Sequence, residues 1–163
     1  MKLPSFMIVV NLAVAAACGS PPAAERPAVS DKPFKNMTGD EQMAFMKQRV
    51  LPETKQLFVA FDPAFATMTC KTCHGEGAEN GSWEMPNPKL KPLPDSEEAF
   101  MAWVQKEPAE GKWAGFMATQ LEPAMGRLLQ VQVFDPKTKT GEFSCEACHV
   151  LAKSGTARAP EAK

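Results

Sequence analysis

The sequence predicts an all-α fold made of two quasi-repeated helical units joined by long loops. Three observations support this prediction. Apolar side chains recur at helical spacing in two stretches, a proline interrupts each stretch, and strand-like alternation is weak throughout. With 163 residues, the chain is long enough for one ordinary domain and short for two. Both units are therefore expected within the size of one domain.

The repeat consists of two segments with the same order of residues. Phe-Met is followed by a proline, a leucine, Phe-Asp-Pro and Cys-x-x-Cys-His, and this order returns 71 to 75 residues later. Two small insertions account for the change in spacing. The aligned pairs are Met46 with Met117, Pro52 with Pro123, Leu57 with Leu128, and Phe61–Pro63 with Phe134–Pro136.

The helix of the first unit has predictable ends. Thr38 and Glu41 form a capping-box sequence, which is typical of a helix start. Pro52 should kink this helix or begin a new one at its first turn. Asp62 and Pro63 should end it, so the first unit is expected to contain a kinked helix and then a turn.

The helices of the second unit follow the same logic. Asp95 or Ser96 should open a helix, because both side chains are good N-caps. A second helix should run from about residue 113 to residue 133, with Pro123 as its kink.

Four of the five cysteines and both histidines fall in two Cys-x-x-Cys-His segments, Cys70–His74 and Cys145–His149. This is the attachment pattern of c-type haem. On a helical turn, residues three and four apart share a face, so two thiols can form thioethers while the histidine ligates the iron. We therefore predict two covalently attached haem c groups, each on a short helix. The thioether donors are Cys70, Cys73, Cys145 and Cys148, and the proximal iron ligands are His74 and His149.

Three other interpretations of the cysteines compete with haem attachment. A four-cysteine zinc ribbon places its pairs roughly 15–20 residues apart, much closer than here. A thioredoxin-like redox pair requires a surrounding βαβ pattern, which the sequence lacks. Structural disulfides fit an exported chain, but a histidine after both pairs would then be a coincidence.

The distal iron ligands are sought among the ten methionines, because no third histidine exists. A methionine thioether is the usual alternative and raises the reduction potential. Met46 and Met117 are the candidates that the repeat aligns. Met85 is the alternative at the first haem and Met125 at the second. Core packing is the competing explanation for any methionine on an apolar helical face.

Residues 38–74 and 114–149 resemble the haem-binding segments of the tetrahaem cytochrome subunit of photosynthetic reaction centres. In that family, a helix carries the distal methionine, a turn follows, and a second helix carries Cys-x-x-Cys-His. The resemblance implies that Met46 and Met117 are the distal ligands. This chain has two such segments rather than four, and its methionine-to-cysteine separations are longer.

The N-terminal residues indicate export. Lys2 and the apolar run 6–17 have the pattern of a signal peptide and are too short to span a bilayer comfortably. Cys18 follows three alanines, which resembles the processing site of bacterial lipoproteins, where the cysteine becomes the lipidated first residue. An ordinary secretory signal with an unrelated cysteine is the alternative. Gly19 is compatible with sorting to the outer membrane, by resemblance to Gram-negative lipoproteins.

These features divide the chain into five parts. A proline-rich stretch after the cysteine has few apolar side chains and is expected to be an extended tether. The last residues are poor in apolar side chains and are expected to be disordered. The predicted parts are the signal peptide 1–17, the anchor and linker 18–35, the first haem-binding unit 36–94, the second unit 95–150, and the tail 151–163.

The sequence therefore favours a lipid-anchored dihaem cytochrome c that carries electrons on the periplasmic face of a bacterial membrane. Its expected partners are redox proteins, such as other cytochromes or copper proteins. Nucleic acid is excluded as a partner because 18 basic and 19 acidic side chains leave a net charge of −1. The alternatives to a non-enzymatic carrier are a dihaem enzyme of the peroxidase type and a haem-based ligand sensor, both with one five-coordinate iron.

Overall fold

The computed structural model describes residues 31–152. It is mostly helical, which confirms the predicted all-α class. The predicted signal peptide, Cys18, and most of the linker and tail lie outside the described residues. The helices are α1 (Gly39–Phe45), α2 (Leu51–Phe61), α3 (Cys70–His74), α4 (Gly77–Asn80), α5 (Glu97–Lys106), α6 (Pro108–Phe116) and α7 (Glu122–Leu129), and the strands are β1 (Leu93–Pro94) and β2 (Leu151–Ala152).

The helix ends of the first unit follow the local sequence signals. Thr38 and Glu41 form the predicted capping box: the Glu41 N–H donates to Thr38 Oγ1, and the Thr38 N–H donates to Glu41 Oε2. Helix α2 ends at Phe61, and the Asp62 carboxylate then accepts a hydrogen bond from the Ala64 N–H at 2.9 Å. The side chain of Ser96 caps α5 in the same way, accepting from the Ala99 N–H.

Two π-helical segments, Met46–Val50 and Met117–Leu121, connect α1 to α2 and α6 to α7. In both, the amide after the segment donates to the carbonyl five residues earlier, at Met46 and at Met117. A proline follows each segment directly inside the next helix. Its ring clashes with the carbonyl four residues back in a regular α-helix, and a wider turn relieves this clash. At the position of each predicted kink, the chain therefore has a π turn that begins at a methionine.

The second long helix is displaced relative to the sequence prediction. It begins at Pro108, and it ends at Leu129 rather than near residue 133. Gln130 adopts a left-handed conformation with φ 56°, and the chain folds back over α7. Gly126 permits this reversal, because a Cβ there would lie 2.5 Å from Cγ2 of Val133.

Two apolar clusters hold the helices together. In the first cluster, the buried residues are Met37, Phe45, Val50 and Leu129. In the second, which we call the aromatic cluster, Phe58, Met68 and Phe116 are buried, and Phe61 and Trp113 pack against them. Helix α2 packs against the second π segment and α7 against the first. Each of the two clusters therefore combines residues from both halves of the chain.

The two halves also meet outside the helices. Strand β1 pairs in parallel with β2, with Leu93 opposite Leu151 and Pro94 opposite Ala152. Strand β2 thus contains the first two residues of the segment that the sequence assigns to the tail. Within residues 31–152, no helix has the length and apolarity needed to cross a membrane.

Candidate functional site

The first Cys-x-x-Cys-His segment is helical, as the sequence predicts. It forms α3, and the Thr69 N–H donates to the Thr72 side chain at 3.2 Å at its start. Gly75 ends the helix with φ 55°, a conformation that glycine adopts without a steric penalty. Cys73 packs against the aromatic cluster.

The second segment is wound differently from the first. Cys145–Ala147 is a single 3-10 turn, and the Ser144 hydroxyl accepts from the Glu146 N–H at its start. The His149 N–H then donates to the Cys145 carbonyl at 2.9 Å. The segment that the sequence predicts as a short helix is therefore a single tight turn with one additional backbone hydrogen bond.

A cavity of about 400 Å³ opens beside this second segment. Its volume lies in the range of about 300–1,000 Å³ that is typical of ligand pockets. Cys145, Cys148 and His149 form one wall. Most of the remaining lining is apolar and includes Phe100, Trp103, Trp113, Leu121 and Phe143.

The ring of His149 is held by a backbone carbonyl. Its Nδ1 lies 2.8 Å from the carbonyl oxygen of Lys91, so Nδ1 is the protonated nitrogen that donates. The other nitrogen, Nε2, is then the one with a free lone pair. Histidines that ligate metals are typically oriented by this kind of second hydrogen bond.

The ring of His74 is half-buried and lies against a tryptophan. It makes an edge contact with Trp83, with 5.5 Å between the ring centroids. Burial lowers the pKa of His74, and the nearby backbone of Trp83 partly opposes this shift. The Nδ1 atom of His74 is buried and makes no hydrogen bond within the described residues. The ring is therefore neutral at pH 7, which is the form that binds a metal.

Two of the thiols, Cys73 of the first segment and Cys148 of the second, lie near each other and are shielded from water. Burial raises the pKa of Cys73 to about 12, and the neighbouring Cys148 contributes to the shift. Burial also raises the pKa of Cys148 to about 11, with Cys145 and Glu122 adding to it. No disulfide joins the four cysteines of the described chain, so all four thiols remain available for thioether formation.

The structure distributes the candidate methionines unevenly. Met117 and Met125 line the cavity beside the second segment. Met46 packs against the first apolar cluster, whereas Cys73 packs against the aromatic cluster. Met85 is half-buried in the loop after α4.

Two residues at the site were not singled out by the sequence analysis. Asn87 is buried between the two segments, and its position between Pro86 and Pro88 is the signal that could have identified it. Glu122 lines the cavity, and burial raises its pKa. Alignment of the repeats pairs Glu122 with Leu51, so this carboxyl is specific to the second half.

The donor set fits a haem c group. Covalent attachment requires free thiols, and the chain offers two pairs. Iron ligation requires a histidine with a free ring nitrogen, and His149, oriented by the Lys91 carbonyl, offers one beside an apolar cavity. Among residues 31–152, no three His, Cys, Asp or Glu side chains converge to hold a metal ion on their own. A haem, by contrast, brings the ring nitrogens that bind its iron.

Comparison of the chain with protein-family models, curated proteins and solved structures gave no match.

Proposed function

We propose that this chain is an exported, lipid-anchored dihaem cytochrome c that transfers electrons between redox partners. The observation that carries the proposal is the second segment: its cysteines and His149 line an apolar cavity, and the Lys91 carbonyl leaves Nε2 of His149 free. The same pentapeptide pattern at Cys70–His74 supports a second haem.

Each part of the chain has a defined task in this proposal. A bound haem c supplies one-electron redox chemistry at its iron. The cysteines fix the group covalently, and His74 and His149 bind on the proximal side. The apolar walls exclude water, which is one of the ways a protein sets a haem potential.

Met117 is the proposed distal ligand at the second site. In its support, Met117 lines the same cavity as His149 and begins a π turn, a type of turn that is frequent at functional sites. Met125 lines the cavity too and is the alternative. At the first site, Met46 is proposed on the repeat and on the equivalent π turn that it begins, with Met85 as the alternative.

The proposed location rests on the N-terminal sequence. Cys18 would carry the lipid, residues 18–35 would span the distance to the folded part, and the protein would face the periplasm. The partners would be other cytochromes or copper proteins. Replacing Cys18 with alanine should release the protein from the membrane fraction; a wild-type protein that is already soluble would contradict the anchor.

The decisive experiment is a haem count. The full chain is expressed with a cytochrome c maturation system, and covalent haem is measured by pyridine haemochrome absorbance and intact mass. We expect two haems per wild-type chain and one in each of two variants, Cys70→Ser with Cys73→Ser, and Cys145→Ser with Cys148→Ser. A wild-type chain without covalent haem contradicts the proposal.

One observation favours an enzyme or sensor as the second candidate. Glu122 provides a carboxyl in the cavity of the second site, and dihaem enzymes need a polar acid or base beside an open iron position. Carbon monoxide separates the two functions. A ferrous spectrum that does not change on its addition supports the electron carrier, whereas a high-spin signal that shifts supports the alternative.

A further inference from the structure

The two Cys-x-x-Cys-His segments are joined by a single buried residue. Asn87 donates from its side-chain Nδ2 to the carbonyl of Cys73 at 2.9 Å. Its backbone N–H donates to the carbonyl of Cys148 at 3.1 Å. Cys73 and Cys148 occupy the same position in the two segments, directly before the histidine. One residue thus contacts equivalent backbone atoms of both.

Asn87 is firmly held in this position. Only 4% of it is exposed, and its Oδ1 accepts a hydrogen bond from the Lys89 N–H at 2.9 Å. The following proline restricts its backbone to extended conformations. Gly75 leaves the space that the side chain fills, because a Cβ on Gly75 would lie 2.8 Å from Nδ2. Movement of either segment would therefore break one of the hydrogen bonds of this buried residue.

The loop that contains Asn87 also reaches both histidines. Trp83 packs against the ring of His74, and the Lys91 carbonyl binds Nδ1 of His149. Residues 83–91 therefore contact the cysteine and the histidine ends of both segments. We call this stretch the 83–91 loop.

We propose that Asn87 is a positioning residue that couples the two attachment sites, so that the state of one site alters the environment of the other. This inference rests on the proposed function. Its physical basis is that Asn87 binds one segment through its side chain and the other through its backbone N–H, so it cannot follow one segment without displacing the other. A polar group left without its hydrogen bond inside the protein is destabilising, so displacement of one segment favours displacement of the other.

The test is a double-variant cycle read as a reduction potential. The second haem is removed by Cys145→Ser with Cys148→Ser, and the potential of the first haem is measured by optical titration. The same removal is then made together with Asn87→Ala. We expect that loss of the second haem shifts the first potential in the wild-type background and that Asn87→Ala reduces this shift by half or more.

Two further variants keep the cycle interpretable. Asn36→Ala is the matched control, because Asn36 is an exposed asparagine on a 3-10 turn, and it should leave the shift unchanged. Asn87→Asp removes the Nδ2 donor but keeps the acceptor for the Lys89 N–H. It is read in the same way if Asn87→Ala fails to fold.

Two results would overturn the coupling while leaving the two haems in place. One is an equal shift of the first potential with and without Asn87, and the other is no shift in the wild-type background. A chain that takes up no haem overturns the proposed function instead. Coupling is then tested on the thiols of the haem-free protein. In that protein, Cys145→Ser with Cys148→Ser should change the alkylation rate of Cys73, and Asn87→Ala should reduce this change by half or more; an equal change with and without Asn87 overturns the inference.

Discussion

The two Cys-x-x-Cys-His segments carry the same chemical groups in different surroundings. The first is a regular helix, with Cys73 against the aromatic cluster and the half-buried His74 beside Trp83. The second is a tight turn on an open cavity, with His149 held by a backbone carbonyl. The motif determines that each segment has two thiols and one imidazole. The packing around each segment determines how much room lies beside these groups. If both sites hold haem, they should differ in potential.

The largest expected effect comes from the distal methionines. Met117→Ala should abolish the methionine–iron charge-transfer band of the second haem, because Met117 lines that cavity. The band is measured in the near-infrared spectrum of the oxidised protein. Met125→Ala is the matched control, since Met125 lines the same cavity and should leave the band intact.

The same measurement on Met46→Ala sharpens the comparison. Met46 packs in a different cluster from Cys73, so the assignment at the first haem depends on the repeat. Loss of the first haem's band in Met46→Ala would show that the repeat outweighs this packing. An unchanged band would transfer the assignment to Met85.

The next largest effect should follow removal of Phe116 from the aromatic cluster. Phe116 is 3% exposed and contacts Phe58 and Phe61 with 5.1 and 4.4 Å between ring centroids. Phe116→Ala should lower the free energy of unfolding by about 3–5 kcal/mol, because it leaves a large cavity. Denaturant titration of the purified protein measures this loss.

Exposed Phe134 is the control for the aromatic cluster. Phe134→Ala should lower the unfolding free energy by less than Phe116→Ala does, because Phe134 is 37% exposed and loses less buried apolar surface. Equal destabilisation by the two changes would mean that the aromatic cluster is not the main support of the first site.

Two helical glycines near the second site provide a smaller and oppositely signed pair. Gly126→Ala should destabilise the protein by about 1–3 kcal/mol, because its Cβ would lie 2.5 Å from Val133. Gly115→Ala should stabilise it by about 0.5–1 kcal/mol, since nothing lies within 4 Å and alanine is the better helix former. Melting temperatures of both variants compare them, and a shift of the same sign in each would contradict the fold-back over α7.

Local signals predicted the helix ends well, and long-range contacts account for what they missed. Thr38, Asp62 and Ser96 act within a few residues, so their roles can be inferred from the sequence alone. The early end of α7 depends on Val133 packing over Gly126, which no helical periodicity reports.

The same division applies to the candidate site. The six residues proposed to hold haem follow from the spacing of the motif. The Lys91 carbonyl comes from a residue 58 positions before His149, and Asn87 reaches one segment before it and one after it. Such partners are brought together only by folding, so the sequence indicates Asn87 merely as a residue fixed between two prolines.

The smallest expected effect concerns the carboxyl that distinguishes the second site from the first. The negative charge of Glu122 contributes, after burial, to the raised pKa of Cys145, and it also adds to that of Cys148. Glu122→Gln should therefore lower the pKa of both thiols, increase their thiolate fraction at pH 9 and speed their alkylation in the haem-free protein. The gain should be modest, because burial, the larger cause, remains.

Cys73 serves as the internal control for Glu122→Gln, since burial and neighbouring thiols, not Glu122, raise its pKa. Its alkylation rate should stay constant, and Glu98→Gln, a change at the exposed start of α5, should alter none of the three thiols. Faster alkylation of Cys73 together with Cys145 and Cys148 would mean that the variant loosens the whole site. Faster alkylation of Cys145 and Cys148 only would instead show that the Glu122 charge acts at the second site alone. The corresponding position of the first unit is a leucine, which carries no charge.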